Sequence, residues 1–165
     1  MLTAISIVCG KYLAINGGEV MRFSLENMPI IFAGMAFGPL AGALVGTVAD
    51  LVGCLMVGYT VNPLVTLGAA LIGAVSGAVP MSLRKINIRP CLLTSLSVFC
   101  AHLIGSVIIK TVGLSAYYSM PFGILMLWRL LNYIIVGALD GIIVHTLLGN
   151  KEIKMRISRI MEEKK

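Results

Sequence analysis

The sequence predicts an all-α integral membrane protein built as a bundle of six transmembrane helices. Three observations carry that prediction. First, 58% of the 165 residues are hydrophobic and only 12% are charged, half the roughly 25% charged share of ordinary soluble domains, and mean hydropathy is +0.97. Second, charge is absent over long stretches: 23 residues separate Glu26 from Asp50, 33 separate Asp50 from Arg84, and 20 separate Arg89 from Lys110. One helix needs about 20 apolar residues to cross a bilayer core. Third, these runs are punctuated by residues that stop helices. The length suits one membrane domain over residues 1–165, with 149–165 as a basic tail.

The elements follow in order. A first helix is expected over 1–15. It starts at Met1 with little polar lead-in, so further residues are expected ahead of it, and no basic stretch marks it as a cleaved signal peptide. Gly38-Pro39 divides the next run into helices 25–37 and 39–57, because the residue before proline is pushed out of helical geometry. The second helix is too short to cross on its own apolar residues. Gly58-Tyr59-Thr60-Val61-Asn62-Pro63 is a turn-like cluster that separates 39–57 from 64–83. Helices over 91–112 and 121–148 complete the bundle. The four cysteines, Cys9, Cys54, Cys91 and Cys100, lie within or beside apolar runs and do not read as a disulfide framework.

Basic residues set the orientation. Arg84, Lys85 and Arg89 occupy one loop, and Lys151, Lys154, Arg156, Arg159, Lys164 and Lys165 the tail. That side is expected to be cytoplasmic, which places both termini there and the protein in the cell membrane. The tail reads as a solvated helix end near anionic lipid. Lys11, Arg22, Lys110 and Arg129 break this bias. Snorkelling to the outer headgroups accounts for Lys11 or Lys110 alone, but less well for Arg129, which lies deeper.

Polar residues are spaced to share faces. Arg129, Asn132, Tyr133, Gly137 and Asp140 form one stripe of the sixth helix, with Arg129 and Asp140 about 16 Å apart along its axis. Thr94, His102, Ser106 and Lys110 do the same on the fifth, and Gly42, Gly46, Asp50 and Cys54 on the third. Exposing such groups to lipid is costly, so these faces are expected to line the bundle interior or a cavity open to the outside. Asp50 reads as a ligand or buried polar contact. Asp140 reads equally as helix–helix glue, a partner contact or a ligand contact. Small residues at four-residue spacing (Gly38, Gly42, Gly46; Gly73, Gly77; Gly137, Gly141) let helices approach closely. On the first helix Ser6, Gly10 and Ala14 repeat the spacing, for internal packing or for docking a membrane partner.

Several chemistries lack a signature. There is no G-x-x-x-x-G-K-[ST] loop, so ATP hydrolysis by that route is excluded. There is no H-E-x-x-H, and no Cys/His cluster has metal-ligand spacing. Ser76-Gly77 has no nearby base. The basic residues have no interleaved aromatics, so nucleic acid is not an expected partner. No enzyme activity, metal or cofactor is expected.

The stretch Arg22-Phe23-Ser24-Leu25-Glu26-Asn27-Met28-Pro29-Ile30-Ile31, then Gly34, Phe37-Gly38-Pro39-Leu40-Ala41-Gly42, Gly46, Asp50 and Gly53, resembles the substrate-binding S components of energy-coupling factor (ECF) vitamin transporters. Tyr117-Tyr118-Ser119-Met120-Pro121-Phe122 and Trp128-Arg129 fit the same family. The chain is most similar to the folate-specific, FolT-like members. The resemblance implies a six-helix fold with an outward-facing vitamin pocket. It also implies docking on a transmembrane coupling subunit driven by two ATPase subunits. Docking uses small residues of the first helix, here matched by Ser6, Gly10 and Ala14.

Folate has a flat pterin, a benzoyl ring and a glutamate tail with two carboxylates. On that resemblance Asp50 pairs with the pterin's amino-pyrimidine edge, with Asn62 and Asn132 as neutral alternatives. Tyr117, Tyr118, Phe122 and Trp128 stack on the rings or form an interfacial aromatic belt. Arg22, Lys110 and Arg129 face the anionic tail or ring carbonyls. Asn16-Gly17-Gly18-Glu19 reads as a mobile lid or a plain turn. The rivals are an S component for another vitamin, a stand-alone transporter coupled to protons through Asp50, His102 and Asp140, and an intramembrane enzyme.

Overall fold

The structure is a computed structural model that describes residues 1–16, 22–83, 86, 88–118, 122–153, 155 and 157. The side chains of Ile15, Asn16, Arg22, Phe23, Tyr117, Tyr118 and Ile124 fall outside the description, as do most of the basic tail and residues 17–21. Helices occupy each of the six expected stretches among the described residues. The first, α1, is Leu2–Ile7 and runs on as a π turn over Val8–Tyr12. Next come α2 (Asn27–Phe37), α3 (Pro39–Val57) and α4 (Pro63–Ser82). The fifth rod, α5, has three parts: Pro90–Ala101, a π segment His102–Ile109, and Lys110–Tyr118. The sixth, α6, is Phe122–Gly149.

Four of these helices are long and apolar enough to cross a membrane, while Leu2–Tyr12 and Asn27–Phe37 are shorter. The expectation of a first helix reaching residue 15 is corrected. It ends at Tyr12, and a two-residue antiparallel ladder follows, β1 (Ile15–Asn16) on β2 (Arg22–Phe23). The ladder takes the backbone groups of Ile15 and Asn16 that a longer helix would have used. The fifth helix runs past the expected residue 112 to Tyr118.

Proline sets three helix starts. Pro39, Pro63 and Pro90 each sit at the first helical positions, where a missing N–H costs nothing. Gly38 (φ +97°) takes the joint between α2 and α3, a backbone shape that side-chain-bearing residues rarely adopt. Glycine also sets the distance between helices. A Cβ on Gly42 or Gly73 would overlap the other's carbonyl, and one on Gly34 would strike Gly73 and Ser76. Thus α2, α3 and α4 touch backbone to backbone, as association without a hydrophobic drive requires. The apolar core gathers Ile30, Ile31, Phe32, Ile72, Val98, Ala101 and Val144. Leu40, Leu44, Leu55, Phe99, Leu127 and Ile134 point outward, where lipid solvates them.

Candidate ligand site

The expected polar stripe of α5 is buried. Thr94, His102, Ser106 and Lys110 are each 4% exposed or less. His102, Ser106 and Lys110 share one face because residues four apart lie one above the other on a helix, and the π segment His102–Ile109 leads into Lys110. At the top of this line the Lys110 ammonium donates to Glu26 Oε1 at 3.2 Å. Glu26 immediately precedes α2, where the positive end of the helix favours a carboxylate. Ser6 Oγ donates to the Glu26 carbonyl at 2.6 Å. Gly10 makes room for the Glu26 side chain, since a Cβ there would lie 2.6 Å from Oε2.

Two further charges complete the cluster. Asp50 Oδ2 accepts from Thr66 Oγ1 at 2.6 Å. Lys11 lies 5.5 Å from the Tyr59 ring centroid, with its ammonium 3.9 Å from Cys54 Sγ. Lys11, Glu26, Asp50 and Lys110 line one small hollow together with Ala49 and Ala69. Two cations and two carboxylates therefore meet among α1, α2, α3 and α5, closed in by apolar and small side chains.

The sequence-predicted residues are not all gathered there. Asp50 and Lys110 line the hollow. Asn62 instead caps α4: its Oδ1 accepts from Leu64 N at 3.0 Å, and its Nδ2 donates to the Gly113 carbonyl at 2.9 Å. Arg129 donates to the Ser106 carbonyl at 2.8 Å, one turn below Lys110. Asn132 is half-buried on α6, while Phe122 and Trp128 are exposed on the same helix. The backbone of Arg22 is in β2 and those of Tyr117 and Tyr118 end α5, with side chains outside the description. Ser6 and Gly10, expected on a docking face, are buried against Glu26, and Ala14 is half-buried. Two residues were missed. Glu26 stands in the quoted motif without a role, and Lys11 is expected only to snorkel to the headgroups. Their shared signal was charge at the edge of an apolar run.

A second buried pair lies further along. His102 Nε2 is 3.0 Å from Asp140 Oδ2, His102 Nδ1 is 3.4 Å from Ser106 Oγ, and the His102 and Tyr133 rings pack at 4.9 Å. This places Asp140 as glue between α5 and α6. A cleft of about 620 Å³ flanks it, lined mostly by apolar side chains of α5 and α6 such as Phe99, Leu130, Ile134 and Ile142. Neither Asp50 nor Arg129 lines that cleft.

A family model described as ECF-type riboflavin transporter, S component, matches residues 1–154. The chain belongs to that family. The S component is a transporter's substrate-binding subunit and not an enzyme, which agrees with the missing catalytic and nucleotide motifs. Nine chains of solved structures also match it. One is a crystal structure of FolT bound with folic acid, with TM-score 0.71 and 26% identity over 91% of this chain and 89% of that one. No curated protein sequence matches this S component.

Proposed function

We propose that this S component captures folate from outside the cell for ATP-driven uptake. Its partners are a transmembrane coupling subunit and two ATPase subunits, and its solvent is the lipid bilayer, with both termini cytoplasmic. The observation that carries the reading is the likeness to folate-bound FolT over nearly the whole of both chains. The charges support it. Lys110 and Lys11 suit the carboxylates of the glutamate tail, and Asp50 suits the donor-rich edge of the pterin. Arg22 and Arg129 remain candidates for the tail or ring carbonyls. Tyr117, Tyr118, Phe122 and Trp128 remain candidates for stacking, and Asn132 for the pterin edge. Docking through Ser6, Gly10 and Ala14 calls for a shift of α1, because Ser6 and Gly10 now face Glu26.

The description of the matching family favours a second reading, in which the ligand is riboflavin. Charge separates the two, since folate brings carboxylates that Lys11 and Lys110 can pair with, while the isoalloxazine and ribityl groups bring none. Titration of the purified protein with folate, riboflavin and thiamine, followed through Trp128 fluorescence, decides between them. Folate is expected to quench at nanomolar concentration. Quenching by riboflavin alone overturns the folate reading. Folate accumulation in liposomes holding only this protein overturns the dependence on partner subunits.

A further inference from the structure

The hollow between the four charges has a volume of about 10 Å³, roughly the space of one water. Ligand pockets run to about 300–1,000 Å³. A vitamin therefore reaches Lys110 only if a side chain yields. Asp50 is tied to Thr66 at 2.6 Å. Lys110 is sealed in, with 5% of its side chain exposed, whereas the Glu26 side chain is 26% exposed. Glu26 stands just ahead of α2 and faces Gly10, and it is the more exposed partner of the Lys110 pair, so of the two it is the one that can swing aside.

We infer that Glu26 is an internal stand-in for the ligand's anion: its carboxylate holds Lys110 while the site is empty and gives way to a carboxylate brought by the ligand. This rests on the folate reading and deepens it by naming what the site selects. A buried ammonium without a counter-ion is strongly destabilising. Glu26 supplies that counter-ion in the closed hollow. An anionic ligand replaces one ion pair by another, so the exchange itself is nearly balanced. Its rings then add the net binding energy. A neutral ligand cannot make the exchange. It must either leave Lys110 with Glu26 and forgo that contact, or displace Glu26 and strand the charge. The site thus discriminates by repulsion as well as attraction.

The test is Glu26→Gln, read by Trp128 quenching with folate, with p-aminobenzoylglutamate as the anionic fragment and with pterin as the uncharged one. Removing a competitor that holds the site most of the time raises apparent affinity by roughly tenfold. That gain is expected for folate and for the anionic fragment, with pterin unchanged. Glu26→Asp, one methylene shorter with the charge kept, is expected to give a smaller gain in the same two ligands. It carries the test if Glu26→Gln does not fold. Equal or weaker folate binding by the variant, with wild-type binding intact, overturns the stand-in alone. A gain of equal size with pterin also overturns it. A wild-type protein that ignores folate and takes riboflavin overturns both readings together.

Discussion

His102 on α5 and Asp140 on α6 meet 3.0 Å apart, with 4% and 0% of their side chains exposed. Across 38 residues of sequence this contact joins the fifth rod to the sixth. Removing one partner strands the other in an apolar interior. Asp140→Leu is therefore expected to cost about 3 kcal/mol, measured as loss of thermal stability in detergent. The double variant His102→Leu/Asp140→Leu should recover part of that loss, since neither polar group is then left alone. A double variant no more stable than the single one contradicts this account.

Lys110 is expected to bind the anionic end of the ligand. Lys110→Met should weaken folate binding by about thirtyfold, near 2 kcal/mol, the lower end for truncating one partner of a buried charged contact. Binding of pterin should change little. Isothermal titration of both ligands checks the contrast, and equal losses for the two place Lys110 elsewhere.

Asp50 is expected to act at the other end of the ligand. Asp50→Asn keeps the shape and the bond from Thr66 but swaps one acceptor for a donor. Folate and pterin should both weaken by about tenfold, the value of roughly 1.4 kcal/mol for one charge-assisted hydrogen bond. Unchanged pterin affinity rules out that role.

Glycines differ sharply in what they tolerate. Gly73→Leu drives a side chain into the Gly42 backbone and should cost about 3 kcal/mol or more. Gly141 has nothing within 4 Å of an added Cβ, so Gly141→Leu should leave the melting temperature within a degree or two. Parallel melts of the two variants in one detergent make the comparison, and similar losses refute the close α3–α4 contact.

Much of this architecture was legible in the sequence. Gly38-Pro39 and Pro63 mark breaks that any chain must respect, so α3 and α4 fell within a residue of their expected ends. The inward faces of α3 and α5 were legible because lipid leaves polar groups few other places to go. The end of α1 was not, because the ladder of Ile15–Asn16 on Arg22–Phe23 is only two residues per strand, too short to show an alternating apolar rhythm. The partners of the charges were equally hidden. Periodicity tells which side of a helix faces inward but says nothing of what stands opposite. Lys110 and Glu26 are 84 residues apart, and only the folded chain joins them. Asn62 had the composition of a ligand contact, yet its amide serves a helix start, a use that N-P sequences commonly make.

That amide has a consequence for traffic. With one half bonded to Leu64 N and the other to the Gly113 carbonyl, Asn62 rivets the beginning of α4 to the far portion of α5, and a Cβ on Gly113 would lie 2.8 Å from Leu64 Cβ. That corner has no slack to hinge. On the Glu26 proposal, an incoming solute enters instead beside the short α1 and the ladder that follows it, with that glutamate as the bolt.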